Sequence, residues 1–100
     1  MATAIRYTQA ADTEVSTIAE YYEAQRQGLG PQFIDELQRI EGHLRENPSL
    51  YQQVNGDIRR AVLRRFPYAL FYVVEDGDVI VLACFHLHRR PRPYVELQAR

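Results

Sequence analysis

Two apolar segments in the C-terminal half of the chain place the strongest constraint on its fold. Residues 69–74 and 79–85 are apolar at every position, and a polar turn, Asp76-Gly77-Asp78, separates them. An Asp-Gly turn between two such runs predicts an antiparallel β-hairpin. Strands that are apolar at both alternations are buried on both faces. Strict alternation in the second strand gives two sets, Val79, Val81, Ala83 and Phe85 against Ile80, Leu82 and Cys84.

The N-terminal half predicts a helical hairpin. After a short strand at residues 4–8, Asp12 is the expected N-cap of a first helix, whose apolar residues recur at helical spacing. Gly28 and Gly30 are expected to end this helix, and Pro31 to begin the second. Asn47-Pro48 is expected to end the second helix, because a residue before proline disfavours helical backbone angles. The short connection between the helices implies an antiparallel pair.

The predicted order is β-α-α-β-β-β in a single domain over residues 1–100. Strands are expected at about residues 58–65, 68–75 and 79–88, with residues 51–56 as a loop. The fold class is therefore α+β, a helical hairpin packed on a small, mainly antiparallel sheet. Two helices cover one sheet face only, so the other needs the C-terminal tail, a second copy or a partner protein. We expect a second copy or a partner, and an exposed apolar face on the isolated chain.

The charges are unevenly distributed although the net charge is only -1. Residues 1–50 carry 4 arginines and 8 acidic residues, whereas residues 51–100 carry 8 arginines and 5 acidic residues. No global field therefore draws the protein to nucleic acid or to an anionic membrane. The single cysteine, Cys84, allows no intramolecular disulfide, which suits a reducing compartment. With no signal-peptide pattern and no apolar run of roughly 20 residues, we expect a cytoplasmic protein without a membrane partner.

The segment from Arg59 to Pro91 resembles a known family. It reads Arg59-Arg60-x-x-Leu63-x-x-Phe66-Pro67-Tyr68-x-x-x-Tyr72, followed by His86-x-x-Arg89-x-Pro91. These motifs resemble those of the ParE/RelE superfamily of bacterial type II toxins. The helical half agrees through Tyr21-Tyr22, Phe33 and Asn47-Pro48, so the resemblance covers nearly the whole chain.

The resemblance implies a small toxin that a cognate antitoxin holds inactive. The antitoxin of such systems wraps its flexible C-terminal segment around the toxin as helix and strand, which would supply cover for the second sheet face. A homodimer and a toxin–antitoxin hetero-oligomer are both compatible with this pattern. The resemblance implies no cofactor.

The superfamily divides into two mechanisms. Its RelE-like members cleave messenger RNA on the ribosome, and its ParE-like members poison DNA gyrase. The nuclease pattern places basic residues where this chain has Arg60, Val62 and Ala69. Because alanine and valine cannot stabilise charge on a phosphate, we favour a ParE-like growth inhibitor with DNA gyrase as a candidate target. The alternatives are a ribosome-dependent mRNA endoribonuclease and a non-toxic interaction module with the same fold.

Several arginines are candidates for contact with the target or the antitoxin. They are Arg59, Arg60, Arg64, Arg65, Arg89 and Arg90. On a regular strand Arg60 and Arg64 would share one face, and Arg59 and Arg65 the other. The alternative interpretation is that these arginines are solvated charges at a strand edge.

If the chain is a nuclease, the candidate catalytic residues are Arg60, His86, His88, Arg89 and Tyr94. His86 and His88 would share a face of the last strand, which suits acid–base chemistry. A zinc site needs about four ligands, more than this region offers, so we expect no metal. Tyr94 is expected either to stack on a base or to anchor the tail.

Overall fold

A helical hairpin packs on one face of a five-stranded sheet. The computed structural model describes residues 3–89 and 92–98. The elements are β1 (Ile5–Tyr7), α1 (Gln9–Gln25), α2 (Leu29–Glu46), β2 (Gln53–Asn55), β3 (Ile58–Val62), β4 (Tyr68–Glu75), β5 (Asp78–His86) and α3 (Tyr94–Gln98). The strand order is β1-β5-β4-β3-β2, with β1 parallel to β5 and the other pairs antiparallel. The predicted α+β class and its helical hairpin are confirmed.

The first helix begins earlier than the sequence pattern suggested. Thr8, not Asp12, is the N-cap, and its Oγ1 accepts a hydrogen bond from the Ala11 N–H at 3.1 Å. Asp12 lies in the first turn instead, where its negative charge favours the positive end of the helix dipole. A threonine directly after a strand satisfies an otherwise unpaired N–H, which is why it displaces the aspartate as cap.

The second helix also begins early, at Leu29 and not at Pro31. Gly28 precedes it with a φ of 95°, a conformation that glycine adopts without strain. The Glu23 carboxylate accepts hydrogen bonds from the Gly28 and Gly30 N–H groups, each at 3.0 Å to Oε1. A side chain from the end of α1 therefore caps α2, and this fixes the sharp turn between the helices.

Three strand boundaries differ from the prediction. The expected loop at 51–56 contains β2, which pairs with β3. β3 ends at Val62 because residues 64–67 form a turn. The Leu63 N–H donates a hydrogen bond to the Tyr68 carbonyl at 2.9 Å and closes this turn. β5 ends at His86, and His88 lies in the turn that follows, not on the strand. Arg64, Arg65 and His88 therefore do not lie on strands, and the sheet faces predicted for their side chains are wrong.

A β-bulge divides β5 into two halves with opposite alternation. Phe71 on β4 pairs with Ala83 but Tyr72 pairs with Val81, so Leu82 is an extra residue. Leu82 and Ala83 consequently both belong to the core on the sheet face away from the helices, and Cys84 to the core under the helices. Leu82 lies on the expected face with Ile80, and the strict alternation expected for this strand is wrong from Ala83 onward. Every side chain after the bulge points opposite to its predicted direction.

The C-terminal helix covers the second sheet face. Leu97 of α3 is 2% exposed and packs with Phe71 and Phe85, which are 5% and 1% exposed. The Tyr94 ring lies 6.0 Å from the Phe71 ring. The expectation of an uncovered apolar face is therefore wrong for this chain. Of the three covers considered, the C-terminal tail is the one that the structure shows.

We expect the Leu97→Ala substitution to destabilise the fold by about 2 kcal/mol, because it removes the side chain that anchors α3 in the second core. Urea unfolding should show this loss, and binding of a hydrophobic dye should increase as the face opens. Val95→Ala, on the same helix at a side chain that is 69% exposed, is the control and should change stability by less than about 0.5 kcal/mol. Equal effects of the two substitutions would contradict the docking of α3.

Candidate functional site

A cleft separates α1 from the end of the sheet where β4 begins and β5 ends. Three pairs of adjacent residues, repeated every four positions, lie on the same side of α1. Successive turns of this helix therefore form one wall of the cleft. These pairs are Thr13 with Glu14, Thr17 with Ile18, and Tyr21 with Tyr22. Tyr68, His86 and Arg89 line both parts of the cleft, a larger part of about 610 Å³ and a smaller part of about 340 Å³ next to the tyrosine pair.

Tyr68 and His86 face each other across the two central strands. They are register partners at the ends of β4 and β5, and their rings lie 5.3 Å apart. The Tyr22 ring lies 6.2 Å from that of Tyr68. His86 reaches this side of the sheet only because the bulge reverses the alternation of β5. One extra residue in a strand thus places an imidazole in the cleft.

A tight turn fixes His86 and brings Arg89 to the cleft. The Leu87 N–H donates to the Pro67 carbonyl at 2.8 Å, and the His88 N–H donates to His86 Nδ1 at 3.1 Å. An accepting Nδ1 is unprotonated, so the neutral ring carries its proton on Nε2. Desolvation lowers the pKa of His86 below its ordinary value, and the charges of Arg89 and His88 lower it further. Near neutral pH this imidazole is therefore uncharged.

Glu14 and Arg92 hold the bulge together at the floor of the cleft. Glu14 Oε1 accepts hydrogen bonds from the Cys84 N–H at 3.0 Å and from Arg92 Nη2 at 3.1 Å. The same Nη2 donates to the Leu82 carbonyl at 2.8 Å. These side chains satisfy backbone groups that the bulge leaves unpaired. Burial raises the pKa of the Cys84 thiol to about 12, so at this position cysteine is an inert core residue.

The turn after β3 places two arginines at the same end of the sheet. The Arg64 and Arg65 N–H groups donate to Glu36 Oε1 at 2.7 and 3.4 Å, and both side chains are exposed. Desolvation alone would raise the pKa of Glu36, but these hydrogen bonds and the charge of Arg39 outweigh it and lower the pKa. We call Arg64, Arg65 and Arg89 the basic rim.

The other predicted site residues lie away from the cleft. Arg59 donates from Nη1 to the carbonyls of Ser49 and Tyr51, at 3.2 and 2.7 Å, and so holds the loop before β2. Arg60 is exposed on the sheet face that carries α3, and Tyr94 packs on that same face. Arg90 lies outside the described residues.

Several residues of the cleft were not predicted from the sequence. Glu14 and Arg92 are 78 positions apart, and no local pattern connects them. The four-residue spacing along α1 was a usable signal, because it places Thr13, Thr17 and Tyr21 on one side of the helix. Within residues 3–89 and 92–98, no group of three or more His, Cys, Asp or Glu side chains is arranged to hold a metal ion. No helix in the same ranges is long and apolar enough to cross a membrane.

Comparison with known proteins identifies relatives of this chain. The family model described as "ParE toxin of type II toxin-antitoxin system, parDE" matches residues 5–91. A search of curated proteins found no significant match. Among solved structures, a chain of the chromosomal ParDE TA system from P. aeruginosa is similar with a TM-score of 0.72 and 12% sequence identity, covering 84% of this chain and 95% of that chain. At this identity the structural likeness shows the fold alone.

The Glu36 carboxylate should make the basic rim sensitive to acid. Its folded pKa lies below the ordinary value of 4.5, so its stabilisation is present above about pH 4.5 and is lost as the pH falls through the folded pKa. We expect Glu36→Gln to lower stability by about 1 kcal/mol at pH 7, and this difference should shrink as the pH falls below 4.5 and through the folded pKa. Urea unfolding across this pH range checks the prediction. Glu20→Gln, at an exposed position of α1, is the control. A loss of stability in Glu36→Gln that does not depend on pH would contradict the prediction.

Proposed function

This chain belongs to the ParE toxin family of type II toxin–antitoxin systems, and from that premise we propose that it inhibits growth by acting on DNA gyrase. As a ParE-type toxin it has a cognate antitoxin as its partner. The proposal concerns the cellular target, the absence of nuclease chemistry and the residues that make contact. A cytoplasmic site of action follows from a cytoplasmic target.

The separation of the candidate catalytic residues by the sheet carries this proposal. Arg60 is the register partner of Phe71 and lies on the sheet face that α3 covers, where Tyr94 also packs. Tyr68 and His86 lie on the opposite face, under the helices. Phosphate chemistry requires the cation and the acid–base group on the same scissile bond. A sheet between the two groups does not support that arrangement.

The strand next to Arg60 supports the same conclusion. Val62 and Ala69 are register partners, so the two positions where the nuclease pattern has cations face each other across β3 and β4. Val62 is 41% exposed, whereas Ala69 is fully buried. At these two positions the strand pair next to Arg60 therefore offers no cation to share the charge of a transition state.

The cleft gives the endoribonuclease alternative its one specific support. There an uncharged His86, the Tyr68 phenol and the Arg89 guanidinium line one space. These groups could exchange a proton with a ribose hydroxyl and stabilise a phosphate. The non-toxic interaction module remains the third candidate, since the fold alone carries no activity.

Induced expression of the chain without its antitoxin distinguishes the three candidates. We expect growth arrest with a DNA-damage response, and loss of supercoiling activity when purified gyrase is titrated with the protein. Messenger RNA on translating ribosomes should stay intact by primer extension. Codon-specific cleavage products would favour the endoribonuclease, and normal growth at high protein level would favour the interaction module.

The basic rim provides the contact prediction. Arg89 is exposed beside His86, and we expect Arg89→Ala to lower toxicity while changing stability by no more than about 0.5 kcal/mol. Growth inhibition is measured at matched protein level, with thermal unfolding as the check on folding. Arg6→Ala is the matched control, because Arg6 is exposed opposite Ile80, at the far end of β5. Undiminished toxicity of Arg89→Ala would remove this residue from the contact surface.

A further inference from the structure

Three tyrosines line the smaller part of the cleft. Across residues 3–89 and 92–98, the phenols of Tyr21, Tyr22 and Tyr68 neither donate nor accept a hydrogen bond. The hydroxyls of Tyr7 and Tyr72, by contrast, donate to protein oxygens at 2.7 and 2.8 Å. Tyr22 and Tyr68 are partly buried and Tyr21 is 56% exposed, so all three phenols around this space can donate a hydrogen bond to a ligand that enters from solvent.

A cation lies with these phenols. Arg89 lines the same space, is exposed, and forms no ion pair with any carboxylate in the part of the chain that the structure describes. Burial raises the pKa of Tyr68, and Arg89 acts in the opposite direction because its charge lies close to the phenol. Burial likewise raises the pKa of Tyr22, with Tyr68 and Tyr21 contributing as near neighbours. The three tyrosine hydroxyls and the Arg89 guanidinium thus converge on the same part of the cleft.

The larger part of the cleft continues from this cluster and is mainly apolar. Thr13, Thr17 and Ile18 line it on the α1 side, and Tyr68 is its aromatic residue on the helix-facing side of the sheet. The two parts of the cleft meet at Tyr68, His86 and Arg89, so one ligand can occupy both. Their volumes, about 610 and 340 Å³, lie within the range of roughly 300 to 1,000 Å³ that small-molecule sites occupy.

We propose that this cleft binds a nucleoside monophosphate, with the phosphate among the tyrosine hydroxyls and Arg89 and the base in the larger part. Arginine binds phosphate oxygens with two parallel hydrogen bonds, and phenol O–H groups donate to the remaining oxygens. The aromatic and apolar walls offer surfaces on which a planar base stacks. The inference goes beyond growth inhibition, since it requires neither gyrase binding nor RNA cleavage.

Glu14 sets the orientation of the ligand. Its carboxylate lines the larger part of the cleft, where it repels a phosphate but accepts an N–H from a base. One of its oxygens is engaged by the Cys84 N–H and Arg92, which holds the carboxylate in place. The phosphate is therefore excluded from the Glu14 end and directed to the Arg89 end.

Isothermal titration of the purified chain with GMP and AMP tests the proposal, with guanosine and inorganic phosphate as partial ligands. We expect the nucleotides to bind at least about tenfold more tightly than either part alone. Arg89→Gln should weaken GMP binding by about tenfold or more and leave guanosine binding unchanged, because a charged hydrogen bond to phosphate is lost. Tyr22→Phe should weaken GMP binding by several-fold. If Tyr22→Phe fails to fold, Tyr21→Phe replaces it, since Tyr21 is 56% exposed.

Matched controls lie elsewhere on the chain. Arg60→Gln removes an exposed guanidinium from the opposite sheet face, and Tyr51→Phe removes a phenol that contacts His43 at 3.3 Å. Both should leave GMP binding unchanged. No binding of either nucleotide, equal binding of GMP and inorganic phosphate, or a loss in Arg60→Gln without one in Arg89→Gln would each overturn the proposal. A chain that binds GMP but does not inhibit gyrase would leave this inference standing and overturn only the proposed target.

Discussion

The extra residue in β5 is the constraint on which the rest of the structure depends. Leu82 has no register partner on β4, so the strand exchanges its two faces at that point. Before it, the strand buries Val79 and Val81 under the helices, and after it, Cys84 takes that side. Without the bulge His86 would point to the opposite face, and the cleft would lose one wall. The geometry of the candidate site is thus decided inside the core, four residues earlier in the chain.

Such an irregularity leaves backbone groups unpaired, and two charged side chains compensate for it. Glu14 on α1 accepts the Cys84 N–H, and Arg92 donates to the Leu82 carbonyl while it pairs with Glu14. The Arg92 guanidinium also lies 5.5 Å from the centre of the Phe85 ring. One network therefore joins the first helix, the bulge and the approach to α3. An antitoxin that needs the second sheet face has to displace α3, whereas one that uses the α1 side or a sheet edge does not.

Periodicity predicted the architecture well because the fold follows from regular patterns. The apolar stripes of the two helices and the hairpin at Asp76-Gly77 appear where expected. Two of the boundary misses share a physical cause, which is that a side chain from another element satisfies the backbone groups at the boundary. Glu23 caps the second helix, and Glu36 holds the turn at Arg64, so neither boundary is encoded by its own segment. The alternation of side chains along a strand does not reveal a bulge. The sheet face on which His86 lies could therefore not be predicted from the sequence.

The pairing of β1 with β5 has a consequence for the order in which the chain folds during synthesis. The Val79 N–H donates to the Ala4 carbonyl, so the first strand waits for a partner made some seventy residues later. Both long helices leave the ribosome before β3, β4 and β5, the strands that supply most of the sheet under their apolar face. At about 5–20 residues per second, this half-finished state lasts for several seconds. Because β5 also supplies one wall of the cleft, the cleft cannot assemble until β5 has been translated.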